Sequence, residues 1–474
     1  MASHNAVKPS DAPKSDTDLW MLYANKLRQT FLTGQDITAE NRVFIPPLNA
    51  QAIMAGDTVS QEKTLSGVAV VGDSLINIDN PLYAVSGDTY TKKVLNYLYN
   101  VQLDNKADPG LKQVAEKKHK EVSKARKEFN ETYTAAKEQF GEVEDPNGTF
   151  DVWASANYPE LSNAQTALQG AVNAYTQIMT QINGPGWQML AKDIAKLEGA
   201  IETTKATAYN MEVDPSLIGS ATNGGEDGDS DDAPKKPKQY APKYSIDKGF
   251  PTAVQGWIDA SAQATPPSVG FSFSASEAKS FHWKDVGFST MKVGGNASFW
   301  PFFSIDYKMK SKKQHENVHV ASSNSHFAFE VSAVGMQAFR IDPDSSWNPG
   351  NVKKTYPRLF PNSAKDLLEP MVQVRYVIVG YNVTIKLTLD KATYDKITKT
   401  METARSHDGG ATATLFGFRL NIGAKAEYAD GQSTSYDKLK MDAQNHTIEF
   451  PGSNNTLPIL MGAVGTIISP ATKH

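Results

Sequence analysis

The sequence predicts an α+β protein in which an antiparallel helical bundle or stalk is followed by a mainly antiparallel β-sandwich or open barrel. Up to about residue 212, apolar residues recur every three or four positions, as on one face of a helix, whereas beyond residue 250 they alternate with polar residues, as in strands. Residues 213–250, which lie between these parts, are rich in Gly, Asp, Pro and Lys, a composition typical of a flexible linker. A chain of 474 residues also exceeds the usual size of one hydrophobic core.

These observations divide the chain into five segments. Residues 1–17 are polar and are expected to form a disordered tail, and residues 18–100 mix helix and loop and are expected to pack on one of the two main units. Residues 101–212 are the predicted antiparallel bundle, residues 213–250 the linker and residues 251–474 the β-rich domain. The predicted architecture is therefore two main domains with an N-terminal addition.

The helical half carries the strongest periodicity. Apolar residues predict one long helix over residues 109–140, with a face rich in Lys and Glu opposite, and a second helix over residues 159–182. Gly184-Pro185-Gly186 is expected to interrupt the pattern because proline removes a backbone donor, and a third helix is predicted from residue 187 to about residue 211. Shorter helices are predicted over residues 18–32, 89–100 and 391–404.

The β-rich half shows two-fold alternation or short apolar runs bounded by Gly, Pro, Asn and Asp. The run at residues 372–379 is apolar almost throughout and suits a central strand. The predicted strands cover residues 269–273, 299–307, 327–333, 372–379, 381–389 and 416–428. Their number and turn chemistry indicate a sandwich or an open barrel.

Composition excludes several classes of function. The formal net charge of −4 gives no strong attraction to nucleic acid, and the absence of cysteine excludes disulfides, thiolate metal sites and cysteine nucleophiles. No apolar run is long enough for a transmembrane helix, and the N-terminal residues lack the apolar centre of a signal peptide. We therefore expect a cytoplasmic protein, or one exported without a standard signal peptide, and no motif implies a cofactor.

One short block resembles a catalytic motif. Residues 68–75, Val-Ala-Val-Val-Gly-Asp-Ser-Leu, resemble the nucleophile block of the GDSL hydrolases, in which an apolar strand ends at the attacking serine. The resemblance implies Ser74 as nucleophile, but the Gly-x-Asn-Asp and Asp-x-x-His blocks of that family are absent, since Asp442 and His446 are one residue too far apart. We interpret Ser74 as part of a turn that ends a strand.

Two segments have features of metal sites without completing one. His315 and His319 would be neighbours on a helix, but on a strand they would lie about 13 Å apart, too far to share an ion. The adjacent Val318 favours a strand, so both histidines are weak candidates and no metal site is predicted. Residues 227–232 resemble the start of a calcium loop, but the glycine and glutamate that such a loop requires are missing.

An aromatic cluster directly precedes a lysine run in residues 299–313. Aromatic rings at headgroup depth and ammonium groups on lipid phosphates would suit a membrane surface. The predicted membrane or partner contacts are Trp300, Phe302, Phe303, Lys308, Lys310, Lys312 and Lys313. The alternative is that the rings pack in the core and the lysines form a solvated hairpin tip.

These features support three functional hypotheses. The first is a non-enzymatic binding or assembly protein whose helical stalk and β-rich module engage a protein partner, another copy or a membrane, with a toxin-like, pore-forming role as one version. The second is an enzyme or small-molecule-binding protein with a pocket between the helical and β domains. Its candidate residues are His282, His319, Glu330 and Asp342. The third is a self-assembling structural or storage protein. Because no catalytic motif is complete, no catalytic residue is assigned.

Overall fold

The computed structural model combines helices with antiparallel sheets, which confirms the predicted mixture of both kinds of element. It describes residues 16–34, 40–45, 53–76, 78, 81, 85–103, 108–141, 153–154, 157–202, 205–213, 239–274, 277, 280–288, 303–309, 312–318, 327–359, 370–405, 411–415, 418–422, 434–435, 439–450 and 458–468. Residues 1–15 of the predicted tail lie outside this set.

The helices are named in chain order. They are α1 (Asp16–Phe31), α2 (Gln61–Asp73), α3 (Tyr90–Tyr99), α4 (Pro109–Gly141), α5 (Pro159–Asn183), α6 (Trp187–Ala200), α7 (Phe250–Ser261), α8 (Val352–Thr355) and α9 (Lys391–Arg405). Short 3-10 turns span Gly184–Gly186 and Trp283–Val286.

The strands are likewise named in chain order. They are β1 (Asn41–Phe44), β2 (Ser74–Ile76), β3 (Val85–Thr89), β4 (Asn210–Val213), β5 (Gln239–Pro242), β6 (Tyr244–Ile246), β7 (Val269–Ser274), β8 (Phe303–Met309), β9 (Lys312–Val318), β10 (Ala328–Ala333), β11 (Gly335–Pro343), β12 (Met371–Tyr381), β13 (Thr384–Thr388), β14 (Ala411–Leu415), β15 (Phe418–Ile422), β16 (Thr434–Ser435), β17 (Lys440–Asp442), β18 (Thr447–Phe450) and β19 (Ile459–Ile468).

The largest sheet is built around β12, the strand whose nearly continuous apolar sequence predicts a central position. Its order is β1-β19-β12-β11-β6, and β2 joins β12 to β3. Val372 of β12 is fully buried and pairs with Ile467 on one side and Ile76 on the other. Strands from residues 41–89 therefore share a sheet with strands from the C-terminal half.

A second sheet, in the order β17-β18-β13-β10-β7, is linked to the first by α1. The ring of Tyr23 packs on Phe271 of β7 and Phe329 of β10, at centroid distances of 5.5 and 6.3 Å. Its hydroxyl donates to the carbonyl of Met461 in β19, at 3.0 Å. A buried helix thus contacts both sheets, an element that the predicted sandwich or open barrel did not contain.

The third sheet, β16-β15-β14-β8-β9, contains residues 303–309 and 312–313 of the predicted aromatic and lysine segment. Strands β8 and β9 form a hairpin in which Lys308 pairs with Lys313 and Met309 with Lys312. Helix α9, which the sequence predicts over residues 391–404, packs against β8, β14 and β15. The predicted strand at residues 416–428 is confirmed for Phe418–Ile422; residues 416–417 and 423–428 lie outside the described set.

Helices α4 and α5 form a long antiparallel pair, as their periodicity predicts. Helix α4 has 33 residues and is therefore about 50 Å long. Near the sheets its Val122 belongs to the main core together with Tyr175 of α5, whereas farther out Phe129 packs in a separate small cluster with Leu161. We call the outer part, residues 124–141 and 157–172, the helical arm.

The interruption after α5 is confirmed, but the predicted length of the third helix is wrong. Gly184 takes a φ of 62° and begins a 3-10 turn, after which α6 runs only to Ala200. Beyond the helix, the side-chain amide of Asn210 donates to the carbonyls of Glu202 and Lys205, at 2.8 and 3.2 Å. Asn210 then begins a strand, β4.

The predicted linker also needs correction. Residues 239–242 form β5, residues 244–246 form β6, and α7 begins at Phe250. Strand β6 is part of the folded core, because Tyr244 is buried and the strand pairs with β11. Val213 of β4 pairs with Gln239 of β5, so the two ends of the intervening segment lie side by side. Residues 214–238, including the calcium-loop-like stretch, lie outside the described residues.

Residues 68–71 form part of helix α2, and the prediction of a strand there is wrong. The helix is capped by Ser60, whose hydroxyl accepts from the Lys63 amide at 3.2 Å. It packs on β6 so closely that a Cβ atom on Gly72 would lie 2.5 Å from Cδ1 of Tyr244. The apolar run is continuous because most faces of this short helix are covered, which hides its helical period.

The separate cluster of the helical arm leads to a testable prediction. Phe129→Ala removes the largest buried side chain of that cluster, so we expect hydrogen exchange to accelerate in residues 124–141 and 157–172 while the amides of β12 stay protected. Val114→Ala, at a position on the same helix that is 40% exposed, should change the free energy of unfolding by less than about 0.5 kcal/mol. Equal acceleration in β12 would contradict an independently opening arm.

Candidate ligand pocket at the base of the helical arm

A cavity of about 400 Å³ opens between α3 and α4, where the helical arm meets the sheet-bearing part of the molecule. Its α4 wall is one stripe of the helix, because the lining positions follow each other at intervals of three and four. The lining residues are Leu95, Asn96, Tyr99, His119, Val122, Ser123, Arg126, Lys127, Asn130 and Glu131. This volume lies within the range of small-molecule sites.

Helix α3 is held rigidly beside the cavity. Its first turn is capped by Thr89, the last residue of β3, whose hydroxyl accepts from the Lys92 amide at 3.3 Å. At the other end, the hydroxyl of Tyr97 donates to the carbonyl of Tyr356 at 2.7 Å, and the hydroxyl of Tyr356 donates to Asp193 of α6. One wall of the pocket is therefore anchored to the sheet and to α6.

The lining residue Arg126 belongs to an ion pair. The guanidinium of Arg126 and the carboxylate of Glu198 in α6 are 2.6 Å apart, and the hydroxyl of Tyr99 donates to the same carboxylate oxygen. Burial, the largest single influence, works against the charge of Arg126, but the charges of and hydrogen bonds to Glu198 and Tyr99 together outweigh it and raise the pKa of the guanidinium. Burial, followed by the negative charge of Glu198, raises the pKa of Tyr99, so the phenol stays protonated.

His119 adds an uncharged ring to the wall. Its ring centroid lies 4.1 Å from that of Tyr99 and 5.6 Å from that of Tyr175. Burial lowers the pKa of His119, and the positive charge of Arg126 lowers it further, while Glu198 opposes the shift. The imidazole is therefore neutral at pH 7.

Asn130, one of the lining residues, has an unsatisfied side-chain acceptor. Its side-chain oxygen is buried and accepts no hydrogen bond from the described part of the chain. An unpaired polar atom at such a depth is unfavourable by about 1–3 kcal/mol, so native proteins usually satisfy it. Because this oxygen has almost no accessible surface, a molecule in the cavity would reach it only if neighbouring side chains moved.

The structure describes only some of the site residues that the sequence predicts. Phe303, Lys308, Lys312, Lys313 and His315 lie on the β8–β9 hairpin, with His315 paired to Asp306. Trp300, Phe302, Lys310 and His319 lie outside the described residues. Among the described residues, no group of three or more His, Asp or Glu side chains is placed to hold a metal ion.

The other candidates have separate local roles. The backbone amide of His282 donates to Asp285 in a 3-10 turn, Asp342 pairs with Arg375 at 2.6 Å, and Glu330 is an exposed strand residue opposite Lys386. Ser74 is the first residue of β2, and its hydroxyl donates to the carbonyl of Val70 at 2.7 Å. The local resemblance to a hydrolase block therefore does not extend to the structure, because residues 68–73 are helical.

Sequence reasoning missed the pocket because its α4 wall lies on the face rich in Lys and Glu. His119, Arg126 and Asn130 are spaced as neighbours along one side of that helix, which was the available signal. Their partners Tyr99 and Glu198 are 27 and 72 residues from Arg126 in the chain, so no local pattern connects them. These five residues become neighbours only when α3, α4 and α6 pack together.

No helix in the described part of the chain combines the length and apolar character needed to cross a bilayer. In comparisons with known proteins, no family model matches the chain, and neither a curated protein nor a solved structure shows significant similarity to it.

Proposed function

We propose that this chain is a small-molecule-binding protein whose ligand occupies the pocket between α3 and α4. The observation that carries the proposal is the cavity of about 400 Å³, whose lining combines the aromatic rings of Tyr99 and His119 with the guanidinium of Arg126. The pocket lies where the helical arm meets the sheet-bearing part of the molecule, and junctions between structural units commonly hold ligands. Binding there would hold α4 against α3.

The proposal is tested by thermal unfolding of the intact chain with a panel of single compounds: D-glucose, myo-inositol, glycine, acetate, inorganic phosphate and adenosine. A compound that binds the folded state raises the melting temperature in proportion to ln(1 + [L]/Kd). We expect at least one compound to raise it in the natural chain and in Asn163→Ala, an exposed asparagine of α5 outside the pocket, but much less in His119→Ala. Shifts of equal size in both variants would place the binding elsewhere and contradict the proposal.

A second candidate is a non-enzymatic assembly protein that uses the helical arm to contact another copy of the chain. It is favoured by the separate cluster around Phe129 and Leu161, which lets the arm hold its shape away from the main core. Light scattering across a hundredfold range of concentration tests it, with Phe129→Ala as the variant that loosens the arm. A monomer at all concentrations would contradict it.

The membrane-contacting, toxin-like version of this second candidate depends on residues 299–313. Leakage of anionic vesicles by the natural chain but not by Trp300→Ala would support it. Absence of binding and leakage with the natural chain would exclude it.

A further inference from the structure

His119 is an ionisable residue at the point where the helical arm meets the rest of the fold. Its half-buried ring contacts Tyr99 of α3, with ring centroids 4.1 Å apart, and Tyr175 of α5, at 5.6 Å. Tyr175 in turn packs on Trp187, the first residue of α6, at 5.9 Å. The imidazole of α4 therefore contacts two neighbouring helices and is linked to a third through Tyr175.

The charged and titratable groups around His119 come from four helices. They are Tyr99 of α3, Tyr175 of α5, Glu198 of α6 and, on α4 itself, Glu116, Lys118, Lys120 and Arg126. Arg126 disfavours a charge on the imidazole and Glu198 favours it, but the Glu198 carboxylate is already bound by Arg126 and Tyr99. A protonated His119 would therefore add a second positive charge near a carboxylate that is already shared.

The folded structure makes this charge unfavourable in acid. Burial and, secondly, the charge of Arg126 lower the pKa of His119 from its ordinary value of 6.5. As the pH falls below 6.5, the unfolded segment binds a proton more readily than the folded segment does. The contribution of the neutral ring to stability is therefore complete above about pH 6.5 and is lost as the pH falls through the lowered pKa.

We propose that the packing of His119 on Tyr99 and Tyr175 is a pH-sensitive contact that holds the helical arm against α3 and α6 at neutral pH and loosens it in mild acid. The ring packs as an uncharged group at neutral pH and becomes a half-buried cation in acid. Because the outer arm packs on its own small cluster around Phe129, its two helices can stay paired while the base opens. Loosening of the arm requires no ligand in the pocket.

Hydrogen exchange of the intact chain at about pH 5 and about pH 7.5 tests the proposal, with rates corrected for the intrinsic effect of pH on exchange. We expect residues 112–130 of α4 to exchange at least about threefold faster at the lower pH after this correction. In His119→Phe, which keeps an aromatic ring but cannot be protonated, the corrected rates of this segment should no longer depend on pH. The amides of β12 are the internal reference for changes of stability elsewhere in the fold.

His282→Phe is the matched control, because this histidine is exposed beside a 3-10 turn and its replacement should leave the pH response of α4 unchanged. Circular dichroism at about pH 7.5 shows whether each variant is folded. His119→Gln, which is also uncharged, takes the place of His119→Phe if the latter does not fold. An equal pH response in the natural chain and in the folded His119 variant would overturn the proposal, because another group would then be responsible. Equal corrected rates at both pH values in the natural chain would overturn it as well.

Discussion

Trp347→Ala is expected to lower the free energy of unfolding by about 3–5 kcal/mol, the range measured for removal of a large buried aromatic side chain. The indole is fully buried, and its ring packs on Tyr90 and Tyr244 at centroid distances of 6.2 and 5.6 Å. Its Nε1–H donates to the carbonyl of Lys243 at 2.7 Å. The side chain thus joins α3, β6 and the loop after β11, and its loss opens a cavity where three parts of the chain meet.

Chemical denaturation of the natural chain and two controls measures this effect. Trp347→Phe keeps an aromatic ring but loses the hydrogen bond, so we expect a loss of about 1–2 kcal/mol. Met189→Ala removes a side chain of a residue that is 58% exposed and should change stability by less than about 0.5 kcal/mol. A loss below 1 kcal/mol in Trp347→Ala would show that this contact does not hold the three elements together.

Asp73→Ala is expected to destabilise the protein by a comparable amount, about 3–5 kcal/mol. The carboxylate of Asp73 lies at the end of α2 and is only 8% exposed. It accepts from the amide and hydroxyl of Thr91, at 3.0 and 2.8 Å, and from the hydroxyl of Tyr244, at 2.9 Å. Alanine would leave these three donors without their acceptor inside the core. Exposed Glu128→Ala on α4 serves as the control and should have little effect.

The same carboxyl group predicts a pH dependence of stability. Burial raises the pKa of Asp73 above its ordinary value, and the donors of Thr91 and Tyr244 oppose the shift only in part. The folded chain therefore holds this proton more tightly than the unfolded chain does. The resulting stabilisation is complete below about pH 4 and is lost as the pH rises through the raised pKa.

Asp73→Asn isolates this contribution because asparagine has a similar shape and does not titrate. The stability of the variant relative to the natural chain should improve as the pH is raised from about 4 to 8. Parallel stability curves for the two proteins over that range would contradict the raised pKa.

Sequence-based prediction was most accurate for elements whose pattern is complete within a short stretch of neighbouring residues. Helix α4 was predicted within one residue because its apolar positions repeat over nine turns, and β12 because its apolar run suits only a central position. The predicted strand at residues 381–389 was too long at its start, since Asn382 adopts a φ of 52° and separates Tyr381 of β12 from β13. That turn depends on pairing between two strands.

Predictions failed where distant packing determines the outcome. The apolar run at residues 68–71 allows a strand or a buried helix, and contacts with β6 accompany the helical form. Likewise, the polar face of α4 resembles a solvated surface in sequence. It becomes a pocket wall only because α3 and α6 place Tyr99 and Glu198 beside Arg126.

The sequence by itself determined the mixture of helices and strands, the long helical pair with its break at Gly184, and the change of periodicity along the chain. These features follow from residue spacing and from the backbone chemistry of Gly and Pro, which act over a few residues. The tertiary structure alone decided that β1, β2 and β3 enter the central sheet, that β4 pairs with β5, and that a pocket forms at the base of the helical arm. Such features depend on pairs of residues far apart in the chain, and their free energy appears only when the whole core assembles.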